Sequence, residues 1–257
     1  MMEKKPDLRG RLTGYLKELR LPTVRECFEE TAQKARQETL SYEHYLLELC
    51  QREMEVREHH RIERMLRESN LPLEKSLGAF DLKRMPQKVL QQAKVLLEGD
   101  FLGKHENVLA FGNPGSGKTH LLCAIGQELV RKGHRVLYKK CELLAQELLI
   151  AKRDLKLAKV LKKLNKFEAV ILDDIGYVHQ RREEMEVLFT LLSERYERGS
   201  LMITSNLPFS KWEGIFKDAM TTAAAIDRLV HHSVILEINL PSYRMEHAKK
   251  TKKIETE

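Results

Sequence analysis

Between Pro22 and Pro72 the chain holds neither proline nor glycine, and apolar positions recur at helical spacing. Ser41, with Glu43 two residues on, reads as a helix start: a serine hydroxyl accepts an orphan backbone N–H, and an acid suits the positive end of the helix. Tyr42, Leu46, Leu47, Cys50 and Met54 then mark one predicted apolar face, and Ile62, Met65 and Leu66 continue the period. Ser69-Asn70-Leu71-Pro72 reads as the stop. These residues predict a small all-helical domain over residues 1–75. His59 and His60 point about 100° apart on such a helix with no Cys or Asp at ligand spacing, so they do not suggest a metal site.

After a further helical stretch near residues 86–98 the pattern changes. Short apolar runs at Asn107–Gly112, His134–Lys139, Glu168–Asp173, Ser200–Ser205 and Ser233–Ile238 alternate with helical stretches. That alternation predicts an α/β domain over residues 76–257 with a parallel, five-stranded sheet covered on both faces. Cys141 to Leu164 reads as one helical stretch, with Leu144, Leu148, Ala151, Leu155 and Ala158 on its apolar face. Lys152, Lys156, Lys159 and Lys163, spaced 4, 3 and 4 residues apart, line an adjoining face, with Arg153 beside them.

Between the first predicted strand and the helix after it lies Gly112-Asn113-Pro114-Gly115-Ser116-Gly117-Lys118-Thr119, a complete G-x-x-x-x-G-K-[ST] phosphate loop. The chemistry requires this strand–loop–helix frame. Glycines let backbone N–H groups curl around phosphates, and the helix N-terminus adds partial positive charge. Lys118 would reach the β- and γ-phosphates of ATP, Thr119 would offer its hydroxyl to Mg²⁺, and His120 closes the candidate cofactor-binding stretch. The run Ala169–Leu172 ends in Asp173-Asp174, at the edge where α/β sheets bind ligands. Asp173 is the expected metal ligand beside Thr119, and Asp174 the residue that orients an attacking water. Asn206, after Leu201–Ser205, could bond both the γ-phosphate and that water, although Ser-Asn-Leu-Pro is also a good turn.

Composition sharpens this reading in two places. The 4 cysteines lie far apart and fit neither a disulfide framework nor a zinc site, and no apolar run is long enough for a membrane span. A soluble cytoplasmic protein with reduced thiols and no membrane partner is expected. The net charge of +7 is not diffuse: residues 131–166 carry 12 Lys/Arg against 3 Asp/Glu, while residues 1–85 are nearly balanced at 17 against 16. A local basic stripe suggests a polyanionic partner, and with no aromatic residue among its lysines it suggests backbone contact rather than base stacking.

Taken together, these elements resemble an AAA+ P-loop ATPase. More closely, the chain resembles the IstB family, ATP-dependent helpers of transposases in bacterial insertion sequences, itself similar to the DnaC and DnaI helicase loaders. The residues that carry the resemblance are Leu19–Pro22, Leu40–Tyr42, Gly112–His120, Ile171–Tyr177, Ser193–Arg198, Ile203–Ser210, Asp227-Arg228-Leu229 and Ser242-Tyr243-Arg244. It implies that Asn206 is a sensor of the γ-phosphate, that Arg228 is an arginine finger acting in a neighbouring subunit, and that Arg244 is a second sensor. It also implies a homo-oligomer built on ATP, a DNA-facing insertion at Lys152, Arg153, Lys156, Lys159 and Lys163, and double-stranded DNA and a transposase as partners. The catalytic set is then Lys118, Asp174, Asn206 and Arg228. A helicase loader shares the same core, a P-loop kinase shares the loop, and a purely structural ATP site would need neither Asp174 nor Arg228.

Overall fold

The computed structural model describes residues 7–176, 182–216 and 218–243. Contacts divide the chain into two compact units, Met1–Arg64 and Met65–Glu257. The division falls earlier than the boundary expected at residue 75. Met65 and Leu71 join a core cluster of the second unit, and Gln127 Nε2 donates to the carbonyls of Pro72 and Lys75 at 2.9 and 3.2 Å, so residues 65–75 pack with the sheet-bearing unit.

The first unit contains α1 (Leu8–Glu18), α2 (Pro22–Gln37) and most of α3 (Tyr42–Ser69). Ser41 caps α3 as expected, its hydroxyl accepting from the His44 N–H at 3.3 Å. Pro22 opens α2, where its missing N–H costs nothing. The next two N–H groups, of Thr23 and Val24, are satisfied from another helix: both donate to Glu53 Oε2, at 2.9 and 3.1 Å. Arg57 donates to the other oxygen of the same carboxylate at 2.7 Å. Burial alone would raise the Glu53 pKa, but these bonds outweigh it and hold the carboxyl below its ordinary value.

Met65 and Leu66 of α3 pack against a core as their spacing suggested, but over Tyr42–Met54 the inward face is another one. Leu49 is buried with Leu16 and Val24, and Tyr45 packs against them, while Tyr42, Leu46, Leu47, Cys50 and Met54 are exposed. The buried positions Tyr45 and Leu49 lie one residue before the expected Leu46 and Cys50, and the same rotation inserts Glu53 under α2. Leu8, Leu12, Tyr15 and Leu19, in and just after α1, are exposed as well.

In the second unit, α4 (Gln87–Glu98) and α5 (Asp100–Gly103) precede β1 (Asn107–Gly112), α6 (Lys118–Arg131), β2 (Val136–Lys140), α7 (Cys141–Arg153) and α8 (Leu157–Leu164). The chain continues through β3 (Ala169–Ile175), α9 (Arg182–Arg195), β4 (Ser200–Ser205), α10 (Glu213–Phe216), α11 (Ala219–Val230) and β5 (Ser233–Ile238). The five strands are parallel in the order β2-β3-β4-β1-β5. Strand alternation sends neighbouring residues to opposite faces. Leu109, Val170, Leu172, Leu201 and Ile203 meet α7, α9 and α11, whereas Val108, Ala110, Ala169, Ile171 and Met202 meet α4 and α6. Among the described residues no helix is long and apolar enough to cross a membrane.

The expected single helix from Cys141 to Leu164 is two helices. The chain turns at Asp154–Lys156, where Leu155 takes a left-handed φ of 58°. A straight helix of that length would run about 36 Å at 1.5 Å per residue and carry Leu161 and Leu164 off the sheet. The turn folds α8 back so that both join the cluster of Leu144 and Leu148. As a result Leu155 and Ala158 are exposed rather than inward, and Lys152, Lys156, Lys159 and Lys163 do not share one helix face.

Candidate nucleotide site

β1 delivers the phosphate loop to the carboxyl edge of the sheet. A side chain at Gly112 would collide with the Ile238 carbonyl of β5, and one at Gly115, at φ 78°, with Ser242. Both positions need a bare backbone. Lys118, buried at the start of α6, donates from Nζ to the carbonyls of Gly112 and Asn113, each at 2.9 Å. The Ser116 hydroxyl is buried with no hydrogen-bond partner among the described residues, and a phosphate oxygen would satisfy it. Gly112, Asn113, Pro114, Gly115, Ser116, Gly117, Lys118 and Thr119 thus make a tight loop whose donors would fit a nucleotide's phosphates.

Asp173 is the hub of the site. Thr119 Oγ1 and Thr204 Oγ1 both donate to its Oδ1 at 2.7 Å, and the Tyr138 hydroxyl donates to Oδ2 at 2.8 Å. The carboxylate is buried, so three hydroxyl donors from α6, β4 and β2 replace its lost water. Burial first, and the adjacent Asp173 charge second, push the Tyr138 phenol far above its ordinary range and keep it a donor. The expected metal pair, Thr119 and Asp173, is therefore brought within hydrogen-bond distance. Its hydroxyl and carboxylate oxygens are hard donors of the kind Mg²⁺ takes. Tyr138 and Thr204 were not among the expected site residues. Their only sequence signal is a hydroxyl near the end of a predicted strand.

Asp174 lies one residue on and is exposed, with φ 60° and its N–H donating to Thr204 Oγ1 at 2.8 Å. Pairing of β3 with β4 shifts register between Leu172 and Ile175 around it, so β3 extends to Ile175, two residues beyond the expected end at Asp173. Asn206 follows β4 at the neighbouring tip. Its turn is fixed by Ser205, whose hydroxyl accepts from the Leu207 N–H and lies within hydrogen-bond distance of the Ile175 and Leu207 carbonyls, to either of which its one proton can be donated. The turn reading and the site position of Asn206 are thus compatible.

His120 is engaged elsewhere: its Nε2 is 2.9 Å from the Ser76 carbonyl, and its ring lies 4.9 Å from that of Phe80. Arg244 lies outside the described residues. The chain just before it returns to the loop, the Tyr243 N–H donating to the Gly115 carbonyl at 3.0 Å, with Arg84 stacked 5.1 Å over the Tyr243 ring.

Arg228 stands apart from all of these. It is on the last turn of α11, donates to the Ala224 carbonyl at 2.9 Å and lies 5.2 Å over the Phe189 ring. It lines a recess of about 100 Å³ with Asn107, Tyr196 and Glu197. Asn107 begins β1 and Gly112 ends it, so Arg228 belongs to the amino edge of the sheet, about 16 Å of strand from the loop. Beside it Glu197, His231 and His232 are exposed, with ligand atoms within 4.8 Å of one another. Arg195 is fully buried there, donating to the carbonyls of Leu164, Phe167, Glu168 and Ser200, and burial lowers its pKa to about 10.

Of the five expected DNA-binding cations, three are ion-paired at the surface: Lys152 with Glu186 and Arg153 with Glu183 at 3.3 Å, and Lys156 with Asp154 at 3.2 Å. Lys159 and Lys163 are exposed on α8, where Lys162 joins them.

Residues 14–251 match the family described as IstB-like ATP binding protein. An insertion sequence ATP-binding protein of Sinorhizobium fredii is 43% identical over 245 residues, covering 95% of this chain and 82% of that one. The IS21 ATP-binding protein of Pseudomonas aeruginosa is 36% identical over 242 residues, covering 93% and 90%. Among solved structures, the DnaC helicase loader superposes with a TM-score of 0.53 at 20% identity, over 59% of this chain and 89% of that one. DnaA from Aquifex aeolicus bound to AMPPCP gives 0.56 at 20% identity, over 72% and 56%. These structures share the fold of the second unit's sheet and helices.

Proposed function

Because the chain belongs to the IstB-like ATP binding proteins and is an AAA+ ATPase, we propose that it assembles with ATP on duplex DNA and presents that DNA to a transposase. The insertion-sequence context of the relatives supports the last step. ATP would lie in the Gly112–Thr119 loop with Lys118 against its terminal phosphates, and Thr119 and Asp173 would hold Mg²⁺. That ion, when bound, would neutralise charge on the transferred phosphoryl group. The chain's own residues do the rest. Asp174 and Asn206, at adjacent strand tips, orient the attacking water, and the three hydroxyls around Asp173 hold its carboxylate in position.

One observation carries this reading: the loop and Arg228 occupy opposite edges of one sheet. A guanidinium so placed does not reach its own loop, but in a head-to-tail pair it would meet the neighbour's. Activity then requires assembly, and by linkage ATP and DNA strengthen each other's binding through it. The exposed apolar residues of the helical unit, Leu12 and Tyr15 among them, offer the transposase a surface. DNA would be held by Lys152, Arg153, Lys156, Lys159 and Lys163 through phosphates, with little sequence readout.

The test is phosphate release against protein concentration, with and without duplex, alongside particle mass. Turnover per subunit should rise as assemblies form. Constant turnover and a single mass, unchanged by ATP or DNA, would sink the reading. The fold shared with the DnaC loader supports the rival reading, a helicase loader, and pull-down against transposase and replicative helicase separates the two.

A further inference from the structure

We infer that Leu155 is an apolar wedge that enters duplex DNA between stacked bases, seated by the cations around it. The inference rests on the DNA-binding reading above and adds to it a specific deformation of the DNA.

The observation is a leucine where the fold gains nothing from one. α7 ends in a double hydrogen-bonded turn, with the Lys156 N–H donating to the Ala151 carbonyl at 2.7 Å and the Leu155 N–H to the Lys152 carbonyl at 3.2 Å. This closure forces the residue at Leu155 into the left-handed region, where glycine or asparagine is the usual occupant. Leucine there is strained, and its side chain is 95% exposed. Ile150, one turn back on α7, is 59% exposed. Two unfavourable features coincide at one position, and neither helps α7 or α8 pack.

The surroundings select the occupant. Lys152, Arg153, Lys156 and Lys159 lie within four residues of Leu155; the carboxylates beside them are Asp154 and, from α9, Glu183 and Glu186, all at exposed positions. A protein surface covering this tip would have to be acidic around an apolar centre. Duplex DNA presents that combination everywhere, with phosphates outside and stacked bases inside, and leucine is one of the side chains that wedge base steps apart. The pairs of Lys152, Arg153 and Lys156 with Glu186, Glu183 and Asp154 are solvent-exposed, so phosphates can replace the carboxylates without stranding a buried charge.

The experiment uses the full chain with ATP and a duplex carrying the fluorescent adenine analogue aminopurine beside TA steps, end-labelled for energy transfer. Leu155→Gly fits the left-handed backbone better than leucine, so it removes the wedge without endangering the fold. Leu155→Asn keeps bulk but is polar, and Leu155→Phe keeps an apolar wedge. Wild type and Leu155→Phe should brighten the aminopurine and shorten the end-to-end distance. Leu155→Gly and Leu155→Asn should do neither, while losing less than about tenfold in affinity because phosphate contacts remain. Bending and brightening by Leu155→Gly equal to wild type overturns the wedge. A smaller particle for Leu155→Gly in the absence of DNA also overturns it, and assigns the leucine to a contact between copies. Wild type that binds no duplex with ATP overturns the DNA reading itself, whereas failure of the wedge alone leaves binding intact.

Discussion

Asp173 accepts from Thr119, Thr204 and Tyr138, and the consequences of that arrangement can be separated by substitution. Asp173→Asn keeps the size of the side chain but removes the charge a metal requires. Hydrolysis should fall by about a hundredfold or more, while a fluorescent ATP analogue measured in chelator should still bind. Thr204→Val removes one donor to Asp173 and the acceptor of the Asp174 N–H, which should cost about 2 kcal/mol in denaturant titrations. The phosphate loop, Asp173 and Asp174 were legible in the sequence because their spacing along the chain is itself the signal. Tyr138 and Thr204 were not. Their roles come from strand order, β2 beside β3 beside β4, and that order cannot be read from a linear sequence.

At the scale of elements, the five strands were legible almost to the residue, because continuous apolar runs bounded by polar residues have no other reading in an α/β chain. Two helices were misread, for different reasons. In α3 the buried positions of the first half fall one residue before the expected stripe, a rotation that goes with Glu53 capping α2. That cap makes a pH prediction. The Glu53 pKa is depressed in the folded state, so its contribution to stability is complete above the ordinary carboxylate range near 4.3 and is lost as pH falls through the lower folded value. The acid limb of a thermal-stability profile should therefore flatten in Glu53→Gln, with lower stability at neutral pH. An acid limb identical to wild type would contradict it. In α7 and α8 no glycine or proline marked the break, and only the need to return Leu161 and Leu164 to the core imposed it. The pairing of Arg153 and Lys152 with Glu183 and Glu186 of α9 has a consequence opposite to most surface substitutions. Glu183→Gln with Glu186→Gln should tighten duplex binding, by about tenfold at low salt, and steepen its salt dependence, as read by fluorescence anisotropy.

At the scale of the molecule, the loop at one edge of the sheet and Arg228 at the other would, in the proposed head-to-tail assembly, make each chain half of two different sites. Arg228→Ala should lower turnover by about a thousandfold, and Lys118→Ala should do so by abolishing nucleotide binding in its own loop. Mixing the two variants should restore part of the activity, since an intact loop then faces an intact Arg228. Two inactive variants that stay inactive when mixed would place Arg228 outside the reaction.

That polarity also makes assembly countable. An isologous pair would bury two identical faces and stop, but chains joined edge to opposite edge leave a loop unpaired at one end and an arginine at the other. An open spiral therefore always contains one complete site fewer than it has subunits, and only a closed ring equals the number. Titrating tightly bound, non-exchanging nucleotide against subunits would read the topology of the assembly from stoichiometry alone, with the deficit shrinking as the spiral lengthens and vanishing on closure.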